Sequence, residues 1–64
     1  MLKYETVINR LASIKVNSYL SGSDYAGILT EASVVAMIYG KKVSTVLAAV
    51  ESVEPKVLKK LQGA

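Results

Sequence analysis

From Ala32 to Glu51 the chain reads A-S-V-V-A-M-I-Y-G-K-K-V-S-T-V-L-A-A-V-E. Two apolar runs, Ala32–Tyr39 and Val43–Val50, flank the break Gly40-Lys41-Lys42. Glycine takes up the left-handed conformation that follows a last helical turn without a Cβ penalty, so Gly40 is the expected end of one helix. Lys41 and Lys42 then stand beside the negative end of its dipole. A second helix is expected from about Val43. Joined so tightly, the two helices either meet at a sharp angle or fold back as a plain hairpin.

Upstream of the break, Tyr25, Ile28, Leu29, Ala32, Val35, Ala36 and Tyr39 recur at steps of three and four, which predicts a helix over Tyr25–Tyr39 with these residues on one face. Val34, Met37 and Ile38 carry the apolar surface beyond that stripe, as expected of a helix at the centre of a domain or at an interface. Gly27 weakens its start and is a candidate for a close helix crossing. Further back, Ser21-Gly22-Ser23-Asp24 is a turn, with Ser23 or Asp24 available as a cap. Tyr4 to about Ile14 has Val7, Ile8, Leu11, Ala12 and Ile14 against Glu5, Asn9, Arg10 and Ser13, which predicts a first helix. Lys15–Leu20 alternates loosely and reads either as a short extended segment or as a frayed helix end. Downstream, Val43, Val46, Leu47, Val50 and Val53 predict a helix to about Val53. Pro55 suits the first turn of a short fourth helix that Gly63 ends, with Val57, Leu58 and Leu61 inward and Lys56, Lys59 and Lys60 in water.

Sixty-four residues allow one small domain, 1–64, and a chain of that size buries only about 60% of the surface it exposes when unfolded. Yet 52% of the residues are apolar, more than so small an interior hides, so a homo-oligomer is expected. The interface is expected to draw on Ile28, Val34, Met37, Ile38, Leu47 and Val50 of the two central helices. Tyr4, Tyr19, Tyr25 and Tyr39 supply all the aromatic area and are expected to bury their rings and keep their hydroxyls wet.

The net charge of +3 is uneven: residues 16–40 carry only Asp24 and Glu31, and lysines crowd both ends. That distribution permits contact with nucleic acid or an anionic membrane but does not demand it. No secretory signal is read at the start, where Lys3, Glu5 and Arg10 leave no apolar core region. Lys41 and Lys42 cut the longest apolar region into pieces well short of the roughly 20 residues that span a bilayer. The absence of Cys fits a cytoplasmic protein.

The spacing Ala36, Gly40, Val46 resembles the helix-turn-helix of bacterial regulators. There, a small residue lets the helices cross, a turn glycine follows four positions later, and an aliphatic residue six further on plugs the angle. Ala36-Met37-Ile38-Tyr39-Gly40 with Thr45-Val46 and Ala49-Val50 is especially similar to the winged-helix regulators of the GntR type. The resemblance covers about twenty residues. It implies a small DNA-binding regulator or accessory factor, with Lys41, Lys42, Ser44 and Thr45 against duplex DNA. Lys41 departs from the motif, which has a buried apolar residue there. The outward face of the second helix would be Lys42, Val43, Ser44, Leu47, Ala48 and Glu51, which lacks the Arg, Asn and Gln that read base edges. Contacts to phosphates rather than to bases are therefore expected.

The same residues support a second reading. Val43, Leu47 and Val50 are then core or interface, and the chain is a helical homo-oligomeric assembly or protein-interaction module without nucleic acid, such as a virion or connector component or a small adaptor. The C-terminal Pro55–Leu61 segment is basic and amphipathic, which fits a solvated face and also an anionic membrane surface. A membrane-active bacteriocin is disfavoured by the lack of Trp and by the acidic residues.

Catalysis is not expected. The chain has neither Cys nor His, so no thiolate or imidazole ligand, base or nucleophile pair can form. Glu51 and Glu54 share a helix face but have no third group to orient them. Gly22, Gly27 and Gly40 are too scattered for a phosphate-binding loop, and no metal or cofactor is expected. The fold expected is all-α, of three to four short helices, helix-turn-helix-like or a small bundle, and self-associating.

Overall fold

A computed structural model describes residues 2–22 and 27–63 as three helices: α1 (Tyr4–Ser21), α2 (Gly27–Tyr39) and α3 (Val43–Gln62). The all-α architecture matches the expectation, and among the described residues there is no strand. Two boundaries differ from it. Residues 15–20 are neither extended nor frayed; α1 continues through them to Ser21. Val16 is buried one turn beyond Ala12, so core packing outweighs the modest helix preference of a β-branched residue. The hydroxyls of Ser13 and Ser18 donate to the carbonyls of Asn9 and Ile14, each at 3.0 Å, instead of competing with the helix. Gly22, with φ 73°, ends α1 by donating to the carbonyls of Ser18 and Tyr19.

The second difference is at Pro55, where one continuous α3 replaces the two helices expected. An interior proline forfeits a backbone hydrogen bond and costs about 3 kcal/mol. Here the carbonyl it orphans belongs to Glu51, which is exposed, as is Pro55, so water can serve it. Val53 and Val57 on either side pack against the same core and hold the helix together across the break. The expected caps Ser23 and Asp24, and Tyr25, lie outside the described residues.

The core is built from small aliphatic residues, which bring helix backbones close. Ile8, Leu11 and Ala12 of α1, Ala32, Val35 and Ala36 of α2, and Val46 and Val50 of α3 form one buried cluster. Among the described residues none that is polar or charged is buried. Facing residues give the directions. Tyr39 at the end of α2 meets Leu2 and Tyr4 at the start of α1, so these two helices run antiparallel. Lys41, just before α3, lies over the ring of Tyr4 at the start of α1, and Glu54 further along α3 pairs with Lys15 further along α1, so α1 and α3 run in the same sense. Gly27 marks no close crossing: it is exposed, and a Cβ there would meet nothing within 4 Å.

Candidate nucleic-acid interface

The α2–α3 connection has the sharp-angle form. Gly40 takes φ 64°, and the amide of Lys41 donates back to the carbonyl of Ala36 at 2.8 Å, the six-residue closure that ends a helix on a left-handed glycine. Lys42 is extended, at φ −83° and ψ 148°, and its carbonyl accepts the amide of Val46 at 3.1 Å to start α3. The chain turns by 115° between α2 and α3 across the three residues Gly40–Lys42. Helix-turn-helix units join two helices at about 90–120° through three or four residues. Ala36 and Val46, the residues expected at the crossing, are both buried in the angle.

The four residues expected on nucleic acid are all exposed at this corner: Lys41 and Lys42 in the turn, Ser44 and Thr45 in the first turn of α3. Val43 and Leu47, which a DNA-facing surface would have left bare, are half-buried and packed on the core. The outer row of α3 is therefore Ser44, Thr45, Ala48, Glu51 and Ser52. No side chain caps the N-terminus of α3, and its first turn holds no acidic residue, so its amides and positive dipole end stay available to an anion.

A long-range contact adds to the corner. The hydroxyl of Tyr39 donates to the carbonyl of Leu2, and the rings of Tyr4 and Tyr39 meet edge to face at 5.5 Å. The ammonium of Lys41 lies 5.3 Å from the centre of the Tyr4 ring, a cation–π arrangement that holds it at the corner. Lys3, between Leu2 and Tyr4, is thereby carried to Lys41 and Lys42, so three lysines gather where the local sequence pattern offers two. The acidic residue nearest to them in the chain is Glu5. The signal for this lay 37 residues apart, beyond any local pattern. The Tyr4 hydroxyl, expected in water, is buried and has no partner among the described residues.

The remaining sequence candidates separate. Lys56, Lys59 and Lys60 are exposed toward the other end of α3, about 20 Å or more along the helix from Lys42. Glu54 does not pair with Glu51; it forms an ion pair with Lys15. That carboxylate, by hydrogen bonding, holds the Lys15 ammonium above its ordinary pKa, against a smaller opposing effect of burial. Among the described residues no group of three or more acidic side chains is arranged to hold a metal ion, and no single helix is long and apolar enough to cross a membrane.

Of the six residues expected at an oligomer interface, Ile28 and Val50 are buried inside the protomer, and Leu47 is packed against its core. Val34, Met37 and Ile38 are exposed, and so is Leu29. No protein-family model matches the chain, and neither does any curated protein or solved structure.

Proposed function

We propose that the chain is a small helix-turn-helix-like DNA-binding regulator or accessory factor that holds duplex DNA through its phosphates. The observation that supports this most is the corner: a 115° turn between α2 and α3 with Lys41, Lys42, Ser44 and Thr45 outside it. Lysines serve as point charges to phosphates, hydroxyls donate to phosphate oxygens, and the uncapped start of α3 adds backbone donors. The outer row of Ser, Thr, Ala and Glu offers little to base edges, so affinity comes from charge and recognition is weakly sequence-selective.

The test is a titration of a duplex at two salt concentrations with the wild type, Lys41→Ala/Lys42→Ala, and Lys59→Ala/Lys60→Ala. Phosphate binding releases counterions, with a log–log salt slope of about −0.9 per contact. Loss of both corner lysines is expected to reduce the slope by about 2, and loss of the distal pair to leave it unchanged. Absence of binding at low salt, or equal weakening by both double variants, overturns the reading.

A second reading, a homo-oligomeric assembly or interaction module without nucleic acid, is favoured by a different observation, the exposed apolar residues of α2. The same titration separates the two.

A further inference from the structure

The outer face of α2 is the least explained surface of the molecule. Val34 is 44%, Met37 79% and Ile38 55% exposed, on the side of the helix away from the buried Ile28, Ala32, Val35 and Ala36, and Leu29, at the edge of that stripe, is 58% exposed. Val34 and Ile38 lie one turn apart on the flank of α2 that borders the groove with α1. On the other bank are the half-buried Val7 and the exposed Ile14, at 45%. Arg10 and Glu31 line that groove from opposite banks, and they come to a similar level because Arg10 lies six residues along α1 from Tyr4 and Glu31 eight residues back along α2 from Tyr39, the two rings that meet. Both are exposed, and neither forms an ion pair with a described residue. An apolar patch with one cation on one bank and one anion on the other is complementary to itself.

We propose that this face binds a second copy of the chain, about a twofold axis running along the groove. Such an axis places α1 of one protomer over α2 of the other, and the reverse. Arg10 of each copy then lies over Glu31 of its partner, twice by symmetry, while Val34 packs toward Val7 and Ile38 toward the first turn of α1 across the interface. Because α1 and α2 are antiparallel within the chain, every contact across the interface is antiparallel too, and the dimer core is a four-helix bundle. A twofold perpendicular to the helices would instead stack α1 on α1 and bring the two arginines together, so the charges select between the axes. A standard interface takes about 800 Å² from each partner, less than a fifth of the protomer's 4534 Å². An anionic membrane is the poorer occupant, because Glu31 stands in the middle of the face and the lysines of the turn and of the end of α3 lie off it. This inference does not depend on DNA binding.

Charge exchange tests it. Sedimentation equilibrium of the wild type over a micromolar range is expected to give about twice the monomer mass of 6.8 kDa. Arg10→Glu and Glu31→Arg each set like charges against each other and are expected to weaken association tenfold or more. The Arg10→Glu/Glu31→Arg double variant restores both pairs and the dimer. So does an equimolar mixture of the two single variants. In their heterodimer the introduced carboxylate of one chain faces the introduced guanidinium of the other, and the unchanged Arg10 faces the unchanged Glu31, only in the proposed geometry. Both positions are solvent-exposed, so the helical circular dichroism of each variant is expected to match the wild type. A monomeric wild type overturns the proposal, and so does a dimer that is indifferent to the single exchanges or not restored by mixing.

Discussion

Helices α2 and α3 are both rich in valine and alanine, and they use them differently. In α3 the apolar residues form one stripe: Val46 and Val50 are buried, and Val43, Leu47, Val53 and Val57 pack beside them. The other side is mainly serine, threonine, glutamate and lysine. In α2 the inward stripe of Ile28, Ala32, Val35 and Ala36 is backed by Leu29, Val34, Met37 and Ile38, with Glu31 as its one charge. Folding of a single chain covers every large apolar side chain of α3 up to Leu58, leaving Leu61 of the last turn exposed. In α2 it leaves four of them bare along the whole length of the helix. A helix that is apolar all round is otherwise found buried. The difference teaches that packing within one chain accounts for the sequence of α3 and for only one side of α2, and the proposed dimer is what would account for part of the rest.

The strongest way to break this comparison is to put the same charge on both helices. Val46→Asp places a carboxylate at a site with no exposure and no partner, at a cost of several kcal/mol. A 64-residue domain has roughly 3–10 kcal/mol in all. Val46→Asp is expected to abolish cooperative thermal unfolding by circular dichroism. Val34→Asp, on the outer face of α2, is expected to keep the helical spectrum and, at concentrations where the wild type is monomeric, to keep its stability within about 1 kcal/mol. A dilute Val34→Asp protein that unfolds like Val46→Asp would show the outer face to be part of the protomer core, and the contrast would collapse.

The glycines at the two ends of α2 sharpen it further. Gly40 has φ 64°, and a Cβ there would meet no atom within 4 Å, so the cost of a side chain is one of backbone conformation alone. Gly40→Ala is expected to lose about 1–2 kcal/mol, with Gly40→Asn losing less because asparagine tolerates the left-handed region. Gly27 has no positive φ and also faces open space. Gly27→Ala is expected to gain about 0.5 kcal/mol, since alanine lowers the entropy of the unfolded chain. Urea denaturation of the three variants measures both signs. Equal losses at Gly27 and Gly40 would mean that conformation does not distinguish them.

How far the sequence predicts these features follows from the range of the interactions. Ala36, Gly40 and Val46 are spaced by the local geometry of two helices and a turn, and the corner is where that spacing puts it. The stripe of α2 is right at Ile28, Ala32, Val35 and Ala36 because a 3.6-residue period is local as well, and it misplaces Leu29, which falls at the stripe's edge and is exposed. The misreadings arise where a partner far along the chain decides. Val16 and Val57 keep their segments helical by packing on other helices, so neither the alternation of residues 15–20 nor Pro55 ends a helix. Which side of α3 turns inward, and so whether Val43 and Leu47 are bare or packed, depends on where α1 lies. Likewise Lys3 joins the corner only through Leu2, Tyr4 and Tyr39.

A further expected effect concerns a contact that α3 makes and that α2, among the described residues, lacks: an ion pair with α1. Lys15 and Glu54 pair at 16% and 19% side-chain exposure, sheltered enough for the bond to outlast solvent competition. The glutamate holds the folded-state pKa of Lys15 above its ordinary 10.5. A group whose folded pKa is raised stabilises the native state fully below its unfolded pKa, and that contribution fades as the pH climbs through the folded value. The pair therefore contributes at neutral pH and is lost only in alkali above about pH 10.5. Lys15→Met keeps the apolar stem but removes the charge, and is expected to cost about 1 kcal/mol at pH 8 in urea denaturation. The informative quantity is the gap between wild type and variant, which is expected to close in alkali as Lys15 loses its proton. A gap that stays constant with pH would assign the loss to packing of the side chain rather than to its proton, and would leave α3 attached to α1 by apolar contact alone.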